Sequence, residues 1–341
     1  MGDSNHGTAL GMAAPHLVLL GAGASLAAFP HGDKHGRKLP VMANFIDVVD
    51  GLRDYLDAED IRYSSSNIEE LYAGLGENHA NQEHLENIEG IIFDYFSLLR
   101  LPDEPTLYDH LVLSLRRKDM IASFNWDPFL LEAWNRVGNR VGLENLPHFV
   151  HLHGNAAEGH CDDVSHNGKV VMGLVGTRCS CGRTLERGPL LFPISEKNYA
   201  DHPAIRRGWE DLRKCLECAY LFTIFGYGAP VTDAAAVSLL RDAWGNKTQH
   251  PFDLVEIVDV AEESVLRERW EPFMPGSDHH FVICRSWYHT WLACHPRRSC
   301  EKLWDTRMRL RPGHSQPIPS TACWQELDEW VHPLLGLAGG G

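Results

Sequence analysis

The sequence predicts an α/β protein built on a doubly wound, mostly parallel sheet of about six strands. Two observations carry the prediction. Six short apolar runs, rich in β-branched residues, mostly end at Gly, Asn, His or Asp; runs that short and continuous read as strands buried on both faces. Between them, apolar residues recur at helical spacing, and alternating strands and helices give a parallel sheet covered on both sides.

The strands expected in order are His16–Leu20, Asp119–Phe124, His148–Leu152, Tyr220–Phe225, Leu254–Val258 and His280–Ile283. Residues 1–15 are small and polar and read as a loose tail. Nearly a hundred residues separate the first two strands, far more than one crossover needs, so 40–117 reads as a helical insertion. Within it Val41, Met42, Phe45, Ile46, Val49, Leu52 and Leu56 keep one helical spacing, and Asn67–Leu75, Leu85–Leu101 and Thr106–Leu115 each fit a short helix. Leu130, Ala133, Trp134 and Val137 mark another helix, as do Ala234–Trp244 and Ser264–Phe273. A second insertion, 156–187, is Gly-, Cys- and His-rich without strong periodicity. Residues 16–286 thus read as the nucleotide-binding-type domain, and the Trp- and Arg-rich 287–341 as a helical extension.

Composition excludes several function classes. Hydrophobic residues at 44% and charged residues at 23% are globular proportions, which excludes general disorder. A formal charge of −15 argues against a dedicated nucleic-acid binder, whose affinity comes from clustered Lys and Arg. The basic stretch Pro296–Arg311 reads as a solvated or subunit-facing surface. No apolar run approaches the roughly 20 residues of a membrane span, and the first residues lack the regions of a signal peptide. Nine cysteines, an odd count, point to reduced thiols. The expectation is a soluble cytoplasmic protein.

The chemistry-bearing residues follow the strands. GAGAS (Gly21, Ala22, Gly23, Ala24, Ser25) follows the first, NWD (Asn125–Asp127) the second, HGN (His153–Asn155) the third and GYGAP (Gly226–Pro230) the fourth, while the fifth ends at Asp259. In an open α/β sheet, loops at the carboxyl ends of strands line the ligand crevice. Gly, Asn, His and Asp at that one edge indicate a ligand with phosphates and sugars. Gly21 and Gly23 would let backbone N–H groups approach an anion where a helix begins. The third glycine of the usual dinucleotide fingerprint is Leu26 here, and a tight strand-to-helix turn explains the same glycines. Asn125 and Asp127 also fit a cap on the helix starting near Pro128.

GAGAS, FNWD, HG, a Cys-bearing insertion and GYGAPVTD, in that order over about Val18–Asp259, resemble the sirtuin family. More closely, the chain is similar to bacterial sirtuin-like NAD-consuming proteins of antiphage defence. The resemblance implies that Gly21–Ser25 hold the NAD pyrophosphate, that Asn125 lies near the nicotinamide ribose, and that Asp127 meets the nicotinamide carboxamide. It implies His153 as the catalytic base, with His151 packed or supporting, and Gly226, Tyr227 and Asp233 along the phosphate and adenosine side. Asp259 sits where an acceptor binds ribose hydroxyls, which favours NAD over NADP.

Departures from the family pattern bear on the reaction. Deacylases of the family follow the first loop with Gly-Ile-Pro-Asp-Phe-Arg, where this chain has AAFPHGDKHGRKLP; their Phe-Gly-Glu peptide strand is replaced by Leu190–Tyr199. Both favour hydrolysis, giving nicotinamide and ADP-ribose, over deacylation or a non-catalytic sensor of NAD or an ADP-ribose derivative. By the defence analogy, such an enzyme is held silent by an oligomeric switch or a partner protein. Cys161, Cys179 and Cys181 with either His160 or His166 would make a closed structural zinc site, against a degenerate ribbon with free thiols. Cys215 and Cys218 form a CxxC on a helix and read as core.

Overall fold

The computed structural model describes residues 13–76, 81–166, 171–192, 202–228, 234–245, 254–273, 281–308 and 316–336. Its centre is a six-stranded parallel sheet made of β1 (His16–Leu20), β2 (Met120–Ser123), β3 (His148–His151), β7 (Leu221–Phe225), β8 (Leu254–Val258) and β9 (Phe281–Cys284), in the order β3-β2-β1-β7-β8-β9. All six runs expected as strands are strands, but the edge strands β3 and β9 are only partly buried rather than buried on both faces. The sheet order reverses between β1 and β7, and in such sheets ligands bind at that reversal.

Register explains why the motifs meet. Leu20 pairs with Ser123 and Phe225, Ser123 with His151, Phe225 with Val258, and Val258 with Cys284. These six residues form one row across the sheet, so every carboxyl-end loop leaves at the same level. Alternation along β1 divides the packing. Val18 and Leu20 face a core shared with the insertion and the C-terminal segment, whereas Leu17 and Leu19 face the opposite core.

The first of those layers contains α1 (Ala22–Ala28), α2 (Phe45–Val48), α3 (Leu52–Ala58), α4 (Ile68–Gly76), α5 (Gln82–Ser97), α6 (Leu107–Ser114) and α7 (Phe129–Val141). The single helical spacing expected over residues 41–56 is broken into a 3-10 turn, α2 and α3. Gly51 takes φ +81 between the two helices, a left-handed conformation that ends the first and starts the second. The second layer contains α8 (Pro203–Cys218), α9 (Ala234–Gly245) and α10 (Glu263–Trp270). In α8, Cys215 is core but Cys218 is exposed, so only the first of that pair packs as expected.

The 156–187 insertion folds as a small antiparallel sheet in the order β5-β4-β6, formed by β4 (Glu158–Cys161), β5 (Val171–Leu174) and β6 (Glu186–Arg187). The C-terminal segment forms α11 (Trp291–Cys294), α12 (Ser299–Met308) and α13 (Trp324–Gly336). It is joined to the amino-end side of the sheet by a buried polar line. Ser299 Oγ meets His16 Nδ1 at 2.8 Å, His16 Nε2 meets Thr223 Oγ1 at 2.8 Å, and Thr223 donates to Glu256 at 3.1 Å. Burial holds the His16 imidazole down to about 3, so it stays neutral and acts as a connector. Among the described residues, no helix is long and apolar enough to cross a membrane.

Gly226 adopts φ +64, and a Cβ there would lie 2.2 Å from the Ala24 nitrogen. Gly226→Ala should cost ~2–4 kcal/mol in chemical denaturation, since strain and overpacking add. Gly36→Ala is the control: φ is +77, but nothing lies within 4 Å of its added methyl. It should cost about 1 kcal/mol.

Candidate functional site

A cavity of about 370 Å³ opens at the reversal point. On its polar side lie Gly21, Ala22, Gly23, Ser25, Asn125, Asp127, His153, Gly226, Tyr227 and Asp259. Ala24 is buried beneath it. Of the site residues expected from sequence, Asp233 lies outside the described residues.

The two glycines of the first loop act through the adjacent loop. Gly21 N–H donates to Phe225 O and Gly23 N–H to Gly226 O, each at 3.0 Å. A Cβ on Gly21 would stand 2.5 Å from Gly226 O, and one on Gly23 2.7 Å from Gly226 Cα. The glycines therefore permit backbone-to-backbone contact between the β1 and β7 loops. Their N–H groups, expected to approach an anion, are used in that contact, and it is the first turn of α1 that borders the cavity.

Behind this loop lies a closed hydrogen-bond group. Asn125 Nδ2 donates to Gly21 O at 3.0 Å and reaches Ser25 Oγ at 3.0 Å and Tyr108 OH at 3.2 Å. Ser25 Oγ donates to Asp127 Oδ2 at 2.6 Å and contacts Tyr108 OH at 2.7 Å. With Ser25 donating to Asp127, the Tyr108 hydroxyl donates to Ser25 and accepts from Asn125. Because the amide nitrogen is committed, the Asn125 carbonyl oxygen is the part of that amide left to a ligand. Asp127 Oδ1 also accepts Phe129 N–H at 3.3 Å, so this carboxylate caps the start of α7 while bordering the cavity. Burial raises its pKa to about 6, against the Ser25 and Phe129 hydrogen bonds, which lower it.

His153 lies against the Phe124 ring edge-on, at 4.7 Å, and Phe124 stacks on Tyr227 at 4.2 Å. The following Gly154 has φ +82, and a Cβ there would fall 1.9 Å from Pro189 O, so the HG pair is needed for the turn that brings residues 189–191 to the cavity. Leu191 N–H donates to His153 O at 2.9 Å. His151 is buried behind the site, with Nδ1 3.2 Å from Glu158 and Nε2 3.3 Å from Asn155. Asn155 in turn donates to the Asp127 carbonyl. Burial disfavours the Glu158 carboxylate, yet the two flanking imidazoles prevail and hold its pKa at about 2. Sequence reasoning placed Asn155 in the HGN loop but had no signal for Glu158 as a support, nor for Tyr108, which lies among leucines on a helix buried on nearly all sides.

The opposite wall is apolar and comes from the insertion: Leu39, Pro40, Val41, Met42, Phe45 and Phe96, joined by Trp126 and, from α4, the carboxylate of Glu69. Sequence reading missed this half because its residues also serve as core.

In the small sheet, Cys161, His166, Cys179 and Cys181 place their ligand atoms within 4.8 Å of one another. His166 Nε2 is 3.5 Å from Cys161 Sγ and 3.1 Å from Cys179 Sγ, and the Cys161 and Cys181 sulfurs are 3.6 Å apart. A tetrahedral zinc with Zn–S bonds of ~2.3 Å needs sulfurs ~3.7 Å apart, so these residues could hold that metal. Alternation along β4 decides between the two histidines. Cys161 turns towards the cluster and His160 towards Glu158, 3.8 Å away, which leaves His166 as the fourth ligand.

No family model matches the chain, and no curated protein matches it. Among solved structures it is similar to a Sir2 homologue in complex with NAD, at 14% identity, covering 98% of this chain and 95% of that one with a TM-score of 0.41. A Sir2 homologue mutant in complex with ADP-ribose is similar at 14% identity, covering 99% of each chain with a TM-score of 0.40. A structure described as the basis for the mechanism and regulation of Sir2 enzymes is similar at 14% identity, 98% and 100% coverage and a TM-score of 0.35. At such values the site is read from this chain's own residues.

Two expectations follow. Between about pH 4 and 6, folded Asp127 keeps a proton that the unfolded chain has released, so the wild type loses stability as pH rises through that window. Relative to wild type, Asp127→Asn should therefore gain about 1.4 kcal/mol in unfolding free energy between pH 5 and pH 8. For the metal centre, elemental analysis should find about one zinc per chain. Chelation or Cys179→Ser should remove it and lower the thermal midpoint, while Cys218→Ser should leave the zinc content unchanged.

Proposed function

We propose that this protein is an NAD glycohydrolase, converting NAD and water to nicotinamide, ADP-ribose and a proton. The observation that supports it is the convergence of Asn125, Asp127 and His153 with the GAGAS loop, Gly226–Tyr227 and Asp259 around one cavity. The pyrophosphate would lie against the first turn of α1, whose Gly23 and Ala24 N–H groups already donate to Gly226 O and Gly21 O. Asp259, which accepts Ala261 N–H through Oδ1, has a second oxygen for ribose hydroxyls. Asp127 grips the carboxamide with lone pairs not used by Ser25 and Phe129.

Cleaving the nicotinamide–ribose bond leaves positive charge on the sugar, as in glycoside cleavage, and nicotinamide departs as a neutral pyridine. Acid assistance to the leaving group is therefore unnecessary. The Asn125 carbonyl oxygen holds a water or ribose hydroxyl by accepting its hydrogen. His153 accepts the proton released as the water oxygen bonds to the anomeric carbon. The zinc residues lie away from these groups; a bound metal would hold the small sheet together and, through Glu158, His151 and Asn155, the Asp127 loop.

The resemblance to defence proteins adds a role for such an activity, as a regulated effector whose rate an oligomer or a partner controls. A second reading, NAD-dependent removal of an acyl group from lysine, is favoured by the apolar wall, which suits an acyl chain. The test is nicotinamide release from NAD by the purified protein, with and without an acylated peptide. Release without peptide, abolished by Asn125→Ala and by His153→Ala, is the expected result. Release only with peptide would establish deacylation instead, and tight NAD binding without turnover, unchanged by His153→Ala, would make the protein a sensor.

A further inference from the structure

We propose that Tyr108 is a positioning residue that, together with Gly21 O and Ser25, makes Asn125 present an acceptor to the cavity. The inference rests on the NAD-cleaving reading of the site. An asparagine amide can offer either a carbonyl oxygen or an NH2 group, and the two ends are nearly isosteric. Only the oxygen can accept a hydrogen from water or a hydroxyl while leaving that oxygen's lone pair free to attack. The choice is made by what surrounds the other end.

Three acceptors surround Asn125 Nδ2: Gly21 O, Ser25 Oγ and Tyr108 OH. Gly21 O is an acceptor in either amide orientation. Ser25 could by itself turn its hydroxyl towards a flipped carbonyl, but its hydrogen is taken by Asp127 at 2.6 Å. Tyr108 fills the remaining place on Ser25 Oγ at 2.7 Å with its own O–H, so its oxygen meets Asn125 only as an acceptor. A flipped amide would set its oxygen against the lone pairs of Gly21, Ser25 and Tyr108 together. Tyr108 is 1% exposed, and burial together with the nearby Asp127 charge holds its pKa far above the usual tyrosine range, so it keeps the hydrogen this arrangement needs.

The tyrosine is itself firmly held. Its ring lies parallel to Phe29 at 6.0 Å and packs beside Phe129 at 6.1 Å. Its helix, α6, starts with a capping box between Thr106 and Asp109. Arg297 from the C-terminal segment closes the other end, donating through its guanidinium to Leu113 O at 3.3 Å and Leu115 O at 3.0 Å. His110, two residues from Tyr108, is fixed by Tyr288 OH at 2.6 Å and Thr321 O at 3.0 Å.

The experiment is Tyr108→Phe, which keeps the ring and removes the hydroxyl. The expected result is a folded variant whose kcat for nicotinamide release falls ~10–100-fold, as misplacement of a reacting group predicts, with KM within about twofold of wild type. A kcat within about twofold of wild type, or a loss carried by KM alone, would overturn the proposal. An activity-independent measurement uses selective 15N-asparagine labelling. The Asn125 side-chain amide protons should exchange slowly in the wild type and about tenfold faster in the variant, as expected when one of three partners is lost. Wild-type exchange as fast as in exposed asparagines overturns the proposal even if the variant does not fold. Wild-type protein that binds NAD but releases no nicotinamide, with the Asn125 amide protected, would remove the hydrolase reading and leave the positioning intact.

Discussion

Two backbone hydrogen bonds, Gly21 N–H to Phe225 O and Gly23 N–H to Gly226 O, set the distance on which the rest of the site depends. They draw the loops after β1 and β7 together at the point where the sheet order reverses, with no space for a Cβ on either side. That contact fixes the start of α1 and therefore the position of Ser25. Ser25 is then the acceptor for Asn125 and Tyr108 and the donor to Asp127, so the β2 loop takes its place from the β1 loop. The sheet register brings the strand ends level; the glycine contact turns that level edge into one cavity.

The second constraint is electrostatic. The site contains a buried carboxylate supported by neutral donors, Ser25 Oγ and Phe129 N–H. The Ser25 and Phe129 donors and the nearby His151 only partly offset the cost of burial, so the Asp127 pKa is raised to about 6, whereas imidazoles in direct contact hold that of Glu158 at about 2. A salt-bridged Asp127 would be more stable but would have its lone pairs occupied by a cation. Burial with incomplete compensation leaves Asp127 with acceptor capacity for a donor group of a ligand.

The fold was legible where one structural choice dominated the sequence. Six runs that are apolar on both faces admit little but a parallel strand, and all six are strands. The helix expected through 41–56 fails at Gly51 because apolar spacing does not register a left-handed glycine. The small sheet escaped notice because its strands have two to four residues, too few for a period to emerge. The Cys/His ligands were readable as a set, while the choice of His166 over His160 needed the β4 alternation. Asn125, Asp127 and His153 were visible as polar residues at strand ends. Tyr108 was not, because its hydroxyl is the sole polar feature of a side chain whose ring is packed as core.

The cavity joins two parts of the chain under different control. Its polar half consists of strand ends, held by the register of the sheet and the glycine contact. Its apolar half consists of residues 39–45 and Phe96 from the insertion, held by side-chain packing and by local bonds such as Val41 N–H to Asn44 Oδ1 at 2.8 Å. Under the NAD-cleaving proposal, bond cleavage would depend on the first half, where the anomeric carbon would lie between Asn125 and His153. On the same proposal, the second half would decide what captures the sugar, since it shapes the space open to water or to a bulkier acceptor. On that proposal, changes in the insertion would redirect the reaction without disturbing the groups that start it, whereas changes at Gly21, Ser25 or Tyr108 would act on both outcomes together.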